Sequence, residues 1–142
     1  MKAMYLVVDS KEAERRRLAT GLRQFVPGSK VTEAGSGLEA LQALEQGGVA
    51  PSLVFTTFEL SDMNALEFLG RLRQTAWLQR PPAMIVDEDI ADRAVIDCYR
   101  LGASGFLRKP VLGFELREAV RDFSRAALLR SEPSVDMEIR AA

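Results

Sequence analysis

Histidine is absent from the 142 residues, and cysteine occurs once, at Cys98. The first absence removes the commonest general base and the commonest zinc ligand. The second excludes an internal disulfide. No apolar run reaches the ~18 residues that a membrane-crossing helix needs, and the opening MKAMYLVV meets Asp9 before it resembles a secretory leader. An excess of positive charge is missing too: 19 Lys plus Arg stand against 20 Asp plus Glu, which takes away the simplest argument for a nucleic-acid binder. The expected location is the cytoplasm, with neither membrane nor nucleic acid as partner.

With 47% hydrophobic and 27% charged residues, the chain has a globular composition. A chain of this length makes one domain and buries roughly 68–70% of its extended surface around a single core. Tyr5-Leu6-Val7-Val8 is a short apolar run ending at Asp9, as in a strand covered on both faces of a parallel sheet. Ser10 reads as the N-cap of a helix over 11–25, with Leu18, Leu22 and Phe25 on one stripe. Pro27-Gly28 breaks it, residues 30–34 form a second strand, and Leu38, Leu41 and Leu44 recur at helical spacing. The alternation continues with strands over 53–58, 83–86 and 105–107. Helices carry Leu66, Leu69 and Leu72, then 90–101, then Leu116, Val120 and Phe123. Five strands alternating with five helices imply right-handed crossovers and an α/β, doubly wound, five-stranded parallel sheet. Residues 1–125 are expected to be this domain. Residues 126–142 are expected to be a helix extension, through Leu128 and Leu129, followed by a C-terminal tail or linker.

In such sheets ligands bind beyond the carboxyl ends of the strands. The residues there are Asp9 and Ser10, Thr57 and Glu59, Asp87 and Glu88, and Lys109-Pro110. VVDS at 7–10, PSLVFTTFELSDMNALEFL at 51–69 and LGASGFLRKP at 101–110, with the distances between them, resemble the receiver domain of bacterial two-component response regulators over about residues 4–125. The resemblance implies a flavodoxin-like (βα)5 fold with strand order 2-1-3-4-5 and a cis Lys109-Pro110 peptide. By the same resemblance, Asp9 fits the first of the family's two acids and Ser10 replaces the second. Thr57 stands for the phosphoacceptor Asp, Asp87 for the switch hydroxyl, and Lys109 is retained, with Phe106 as the switch aromatic.

These departures bear on the chemistry. Phosphoryl transfer to a receiver uses a carboxylate nucleophile and a hard divalent cation that demands oxygen ligands. Ser10 and Thr57 occupy the two directly ligating carboxylate positions, so Mg²⁺ binding is expected to be weak or absent and no cofactor is expected. Thr57 has no base beside it to activate its hydroxyl. Asp87 reads as a solvated loop acid, as an N-cap for the following helix, or as a partner of Lys109, which is expected to pair with Asp87, Asp9 or both. The expected function is that of a non-enzymatic, degenerate receiver acting by protein–protein interaction. Alternatives are an unconventional phosphoacceptor in a phosphorelay and a sensory module binding a small ligand in the vacated pocket. The partner, a protein or a second copy, would meet the fourth helix, fifth strand and fifth helix, where Val111, Leu112, Phe114, Leu128 and Leu129 supply apolar surface. An output domain in a longer chain is compatible with this role. Cys98 reads as a core hydrophobe, and Arg15-Arg16-Arg17 as a solvated helix face.

Overall fold

A computed structural model describes residues 3–124. In it β1 (Met4–Val8), β2 (Lys30–Ala34), β3 (Leu53–Thr56), β4 (Ala83–Asp87) and β5 (Gly105–Arg108) form one parallel sheet in the order 2-1-3-4-5. The strands alternate with α1 (Glu12–Phe25), α2 (Gly37–Gly47), α3 (Ala65–Gln74), α4 (Asp92–Arg100) and α5 (Gly113–Phe123). β1 and β3 are buried along their whole length, which is why they read as unbroken apolar runs, whereas the edge strand β2 fully buries only Ala34.

Successive strand residues point to opposite faces, and this alternation divides the core in two. Leu6, Val8, Val54 and Ile85 pack with Leu44, Phe68, Leu69, Leu72 and Cys98, so α2, α3 and α4 cover one face. Tyr5, Val7, Phe55, Met84 and Val86 pack with Leu22, Leu116 and Ala119, so α1 and α5 cover the other. Ser36 caps α2 by accepting from the Glu39 N–H at 3.1 Å, and Gly48 ends that helix in the left-handed conformation at φ +67°. Among the described residues no helix is long and apolar enough to cross a membrane.

Several boundaries differ from the sequence reading, β4 and β5 each running one residue further, to Asp87 and Arg108, and α4 ending one residue earlier, at Arg100. Ser10 is not a cap: the N-cap position falls on Lys11, whose N–H donates to Asp9 Oδ1 at 2.9 Å. β3 stops at Thr56 rather than residue 58, because Glu59 bridges to Asn64 and folds the following loop back on itself. α4 starts at Asp92 rather than Ile90, with Ala91 preceding it and no side-chain cap. α5 ends at Phe123, and Ser124 is extended. Residues 126–142, Leu128 and Leu129 included, lie outside the described residues.

Candidate functional site

The strand order sets the ends of β1, β3 and β4 side by side, and the loops leaving them surround a cleft of about 430 Å³. Asp9, Ser10, Thr57, Asp87 and Lys109 all line it, so the five positions singled out from the sequence come together. Asp9 is 4% exposed and doubly engaged. Its Oδ1 accepts the Lys11 N–H at 2.9 Å, and its Oδ2 accepts from Lys109 Nζ at 2.8 Å. The two side chains of this ion pair are 6% and 11% exposed, and Glu14 Oε1 lies 3.9 Å from the same ammonium. A buried charge demands a partner, and each of these ions answers the other. The Lys109–Pro110 peptide is cis.

Asp87 neither caps α4 nor pairs with Lys109, and it is not a merely solvated loop acid. No Lys109 nitrogen lies within ion-pair distance of its carboxylate. Instead Oδ2 reaches across to the loop after β3 and accepts the Phe58 N–H at 3.0 Å, while Oδ1 accepts the Glu88 N–H at 2.9 Å. A backbone N–H just past a strand end has lost its ladder partner, and a carboxylate one strand away satisfies it. The Thr57 hydroxyl is buried and donates to the Glu59 carbonyl at 3.3 Å, so it faces an acceptor without basicity. Ser10 is exposed.

These donors do not suit the Mg²⁺ that the resemblance implies. Mg²⁺ keeps several of its waters and is anchored by one or two carboxylates free to ligate it. Here Asp9 is committed to Lys109, Ser10 and Thr57 offer neutral hydroxyls, and among the described residues no group of three or more His, Cys, Asp or Glu converges.

Phe106 is half-buried against the α4 side of the core, with Ile85 and Cys98. Of the apolar residues assigned to a partner surface, Val111 is a correction: it turns inward and packs with the α1–α5 core. Leu112 and Phe114 stay outside, at 53% and 52% exposure. The sequence reading passed over Ile96 and Tyr99 of α4, which are exposed to nearly the same degree. Their spacing of three, off the stripe of Val95 and Cys98 that turns toward the core, is the signal the sequence holds. Arg15 also departs from the solvated face assigned to it. It donates to the Asp9 carbonyl at 3.0 Å and to Glu33 Oε1 of β2 at 3.0 Å, and Arg16 and Arg23 converge on the same Glu33 at 3.9 and 3.7 Å.

The response regulator receiver domain family matches residues 5–121. The transcriptional activator protein ExaE of Pseudomonas putida is 36% identical over 116 residues, covering 82% of this chain and 52% of that protein. The sensory/regulatory protein RpfC of Xanthomonas campestris pv. campestris (strain 8004) is 26% identical over 136 residues, covering 94% of this chain and 18% of that protein. The chain therefore spans about half or less of the length of these relatives. Among solved structures, the chemotaxis protein CheY4 of Vibrio cholerae superposes with a TM-score of 0.78 at 20% identity, over 87% of this chain and 99% of that one, a likeness of fold.

Proposed function

We propose, from the premise that the chain belongs to the response regulator receiver domain family, that it is a two-component signalling receiver working without phosphoryl transfer. It is no enzyme on this reading, and it acts by presenting a protein-binding face. The observation that carries this is the internal occupation of the cleft: Lys109 is held by Asp9 at 2.8 Å, and the Asp87 carboxylate already accepts the Phe58 N–H at 3.0 Å. An incoming phosphoryl group would find the cation neutralised, an anion standing nearby, and Thr57 where the family has its nucleophile. Like charges in one small cleft repel, so Asp87 opposes a phosphodonor electrostatically as well as by its place on β4. The face that would engage a protein partner, or a second copy, is built from α4, β5 and α5, with Ile96, Tyr99, Leu112 and Phe114 as its apolar contacts.

The test is incubation of the chain with acetyl phosphate and excess Mg²⁺, read by intact mass. The expected result is no phosphoryl adduct. A stoichiometric adduct, mapped to Asp87 or Thr57, would establish an unconventional phosphoacceptor instead.

A further inference from the structure

α4 carries Ile96 and Tyr99, two of the four apolar contacts of the partner face, yet little of the helix lies inside the protein: of its nine residues only Cys98 is buried. Among the described residues no α4 side chain makes a hydrogen bond or ion pair outside the helix, since Arg93 and Asp97 pair with each other at 3.3 Å. The ties lie at its two ends. Behind it, Arg73 of α3 donates to the Gly102 carbonyl at 2.9 Å, in a turn where Gly102 has φ +95°. Ahead of it, the position before Asp92 is Ala91, which offers no side-chain cap, and the loop is fastened further back, at Asp87 and Glu88. The Asp87 carboxylate accepts the Glu88 N–H at 2.9 Å and, from the loop after β3, the Phe58 N–H at 3.0 Å. From the β5 side, the Lys109 N–H donates to the Asp87 carbonyl at 2.9 Å and the Arg108 guanidinium to the Glu88 carbonyl at 2.7 Å.

We propose that Asp87 is an internal latch, which fixes the leading end of α4 and with it the partner face in one position, with no added group required. The inference rests on the reading of α4, β5 and α5 as the binding face. A helix that buries one residue in nine gains little from packing, so its place is set by its end ties and it belongs to the part of the fold that opens first. A carboxylate holding two backbone N–H groups makes charge-assisted bonds, the stronger kind. Removing it frees the Phe58 and Glu88 N–H groups together and leaves α4 to swing about its other end, where the Arg73 tie to Gly102 persists. Asp87 acts through the loop and α4, and is therefore a positioning residue.

Cys98, the chain's single cysteine, faces the core from α4 at 2% exposure, so its alkylation reports the helix leaving the sheet. The experiment follows iodoacetamide labelling of the full chain in a series of urea concentrations below the unfolding transition. Asp87→Ala is expected to label at least about tenfold faster than the wild-type chain, the scale of one lost charge-assisted hydrogen bond. The rate should hardly rise with urea, because a swung helix exposes little surface compared with the unfolded chain. Asp87→Asn keeps one carbonyl oxygen for one N–H and should fall between the two. Arg108→Gln, at an exposed position, loosens only the Glu88 carbonyl and should accelerate labelling about threefold. Arg71→Gln, which breaks an exposed pair with Glu67 on α3, should leave the rate unchanged. Wild-type rates in both Asp87→Ala and Arg108→Gln would overturn the latch, and so would an acceleration that climbs with urea as steeply as global unfolding, which would make Asp87 a general stabiliser of the fold. Because labelling uses neither phosphodonor nor partner, the latch can fail while the signalling reading stands, and the reverse.

Discussion

Truncating Lys109 to Met strands a carboxylate that is 4% exposed, so the loss measures what it costs to leave Asp9 without its cation. Breaking one side of a buried ion pair typically destabilises by about 3 kcal/mol, more than the pair contributes relative to apolar residues. Asp9→Asn keeps an oxygen for the Lys11 N–H and should cost less, about 1–2 kcal/mol. Urea midpoints of the two variants check the order, and a milder loss in Lys109→Met than in Asp9→Asn contradicts the buried pairing. Cys98 gives a second prediction at this scale. Burial, then the nearby Asp97 charge, pushes its thiol from the ordinary 9.0 up to about 11. Above pH 9.0 the unfolded thiol gives up its proton while the native one keeps it until about 11, so the unfolded state binds fewer protons in that window. Stability conferred by the neutral buried thiol is therefore complete below the lower value and is lost as pH rises through the window, by about 2–3 kcal/mol at most. Cys98→Val should flatten this alkaline decline. Iodoacetamide should label native Cys98 at pH 8 at least about a hundredfold more slowly than the denatured chain, since the thiolate is the reactive form.

At the scale of elements, α1 and α5 approach closely because two glycines let them. A Cβ on Gly21 would come within 2.8 Å of Leu116 Cδ1, the mobile end of a side chain, whereas a Cβ on Gly113 would collide with the rigid Phe25 ring. Gly113→Ala is therefore expected to destabilise by about 1–3 kcal/mol and Gly21→Ala by less. Adding Phe25→Ala should recover part of the Gly113→Ala loss, a coupling that thermal melts of the double-mutant cycle would reveal. The loop after β3 is tied to α2 in a similar way: Asp62 accepts the Gly37 and Leu38 N–H groups, both at 2.9 Å. The Leu38 hydrogen bond, foremost, holds the Asp62 carboxyl below its ordinary range. Its small contribution is thus present above the usual carboxylate pKa and fades as pH falls through the lowered one.

The elements themselves were legible because strands buried on both faces leave uninterrupted apolar runs, and the two-sided core leaves one stripe per helix. The close α1–α5 approach was not, since Gly21 and Gly113 are 92 residues apart and nothing in either neighbourhood announces the other. The site divides along the same line. Asp9, Ser10, Thr57, Asp87 and Lys109 each lie at or within two residues past a strand end and could be placed in one cleft from sequence. Which of them touch could not, because the choice of Asp9 over Asp87 by Lys109 depends on the Phe58 N–H having already taken Asp87.

For the molecule as a whole, partner recognition becomes a question of which surface stays apolar once the core is filled. β5 is the edge of the sheet, with α4 on one face and α5 on the other, and these flanks carry Ile96, Tyr99, Leu112 and Phe114 at 47%, 48%, 53% and 52% exposure. A net charge of −1 supplies little long-range repulsion between copies. A two-fold pairing of this face against itself would bury all four residues on both partners, in the self-complementary manner of isologous dimers. Leu112→Asp with Phe114→Asp is expected to shift sedimentation-velocity profiles from dimer to monomer by placing four carboxylates across one interface. The melting temperature should scarcely move, because changes at exposed positions usually stay within about 0.5 kcal/mol. Trp77, 44% exposed beyond α3 and away from β5, serves as the control. If Trp77→Asp disperses the dimer and the α5 double variant leaves it intact, the contact lies on the α2–α3 side. The α4–β5–α5 face would then lose its claim to self-association.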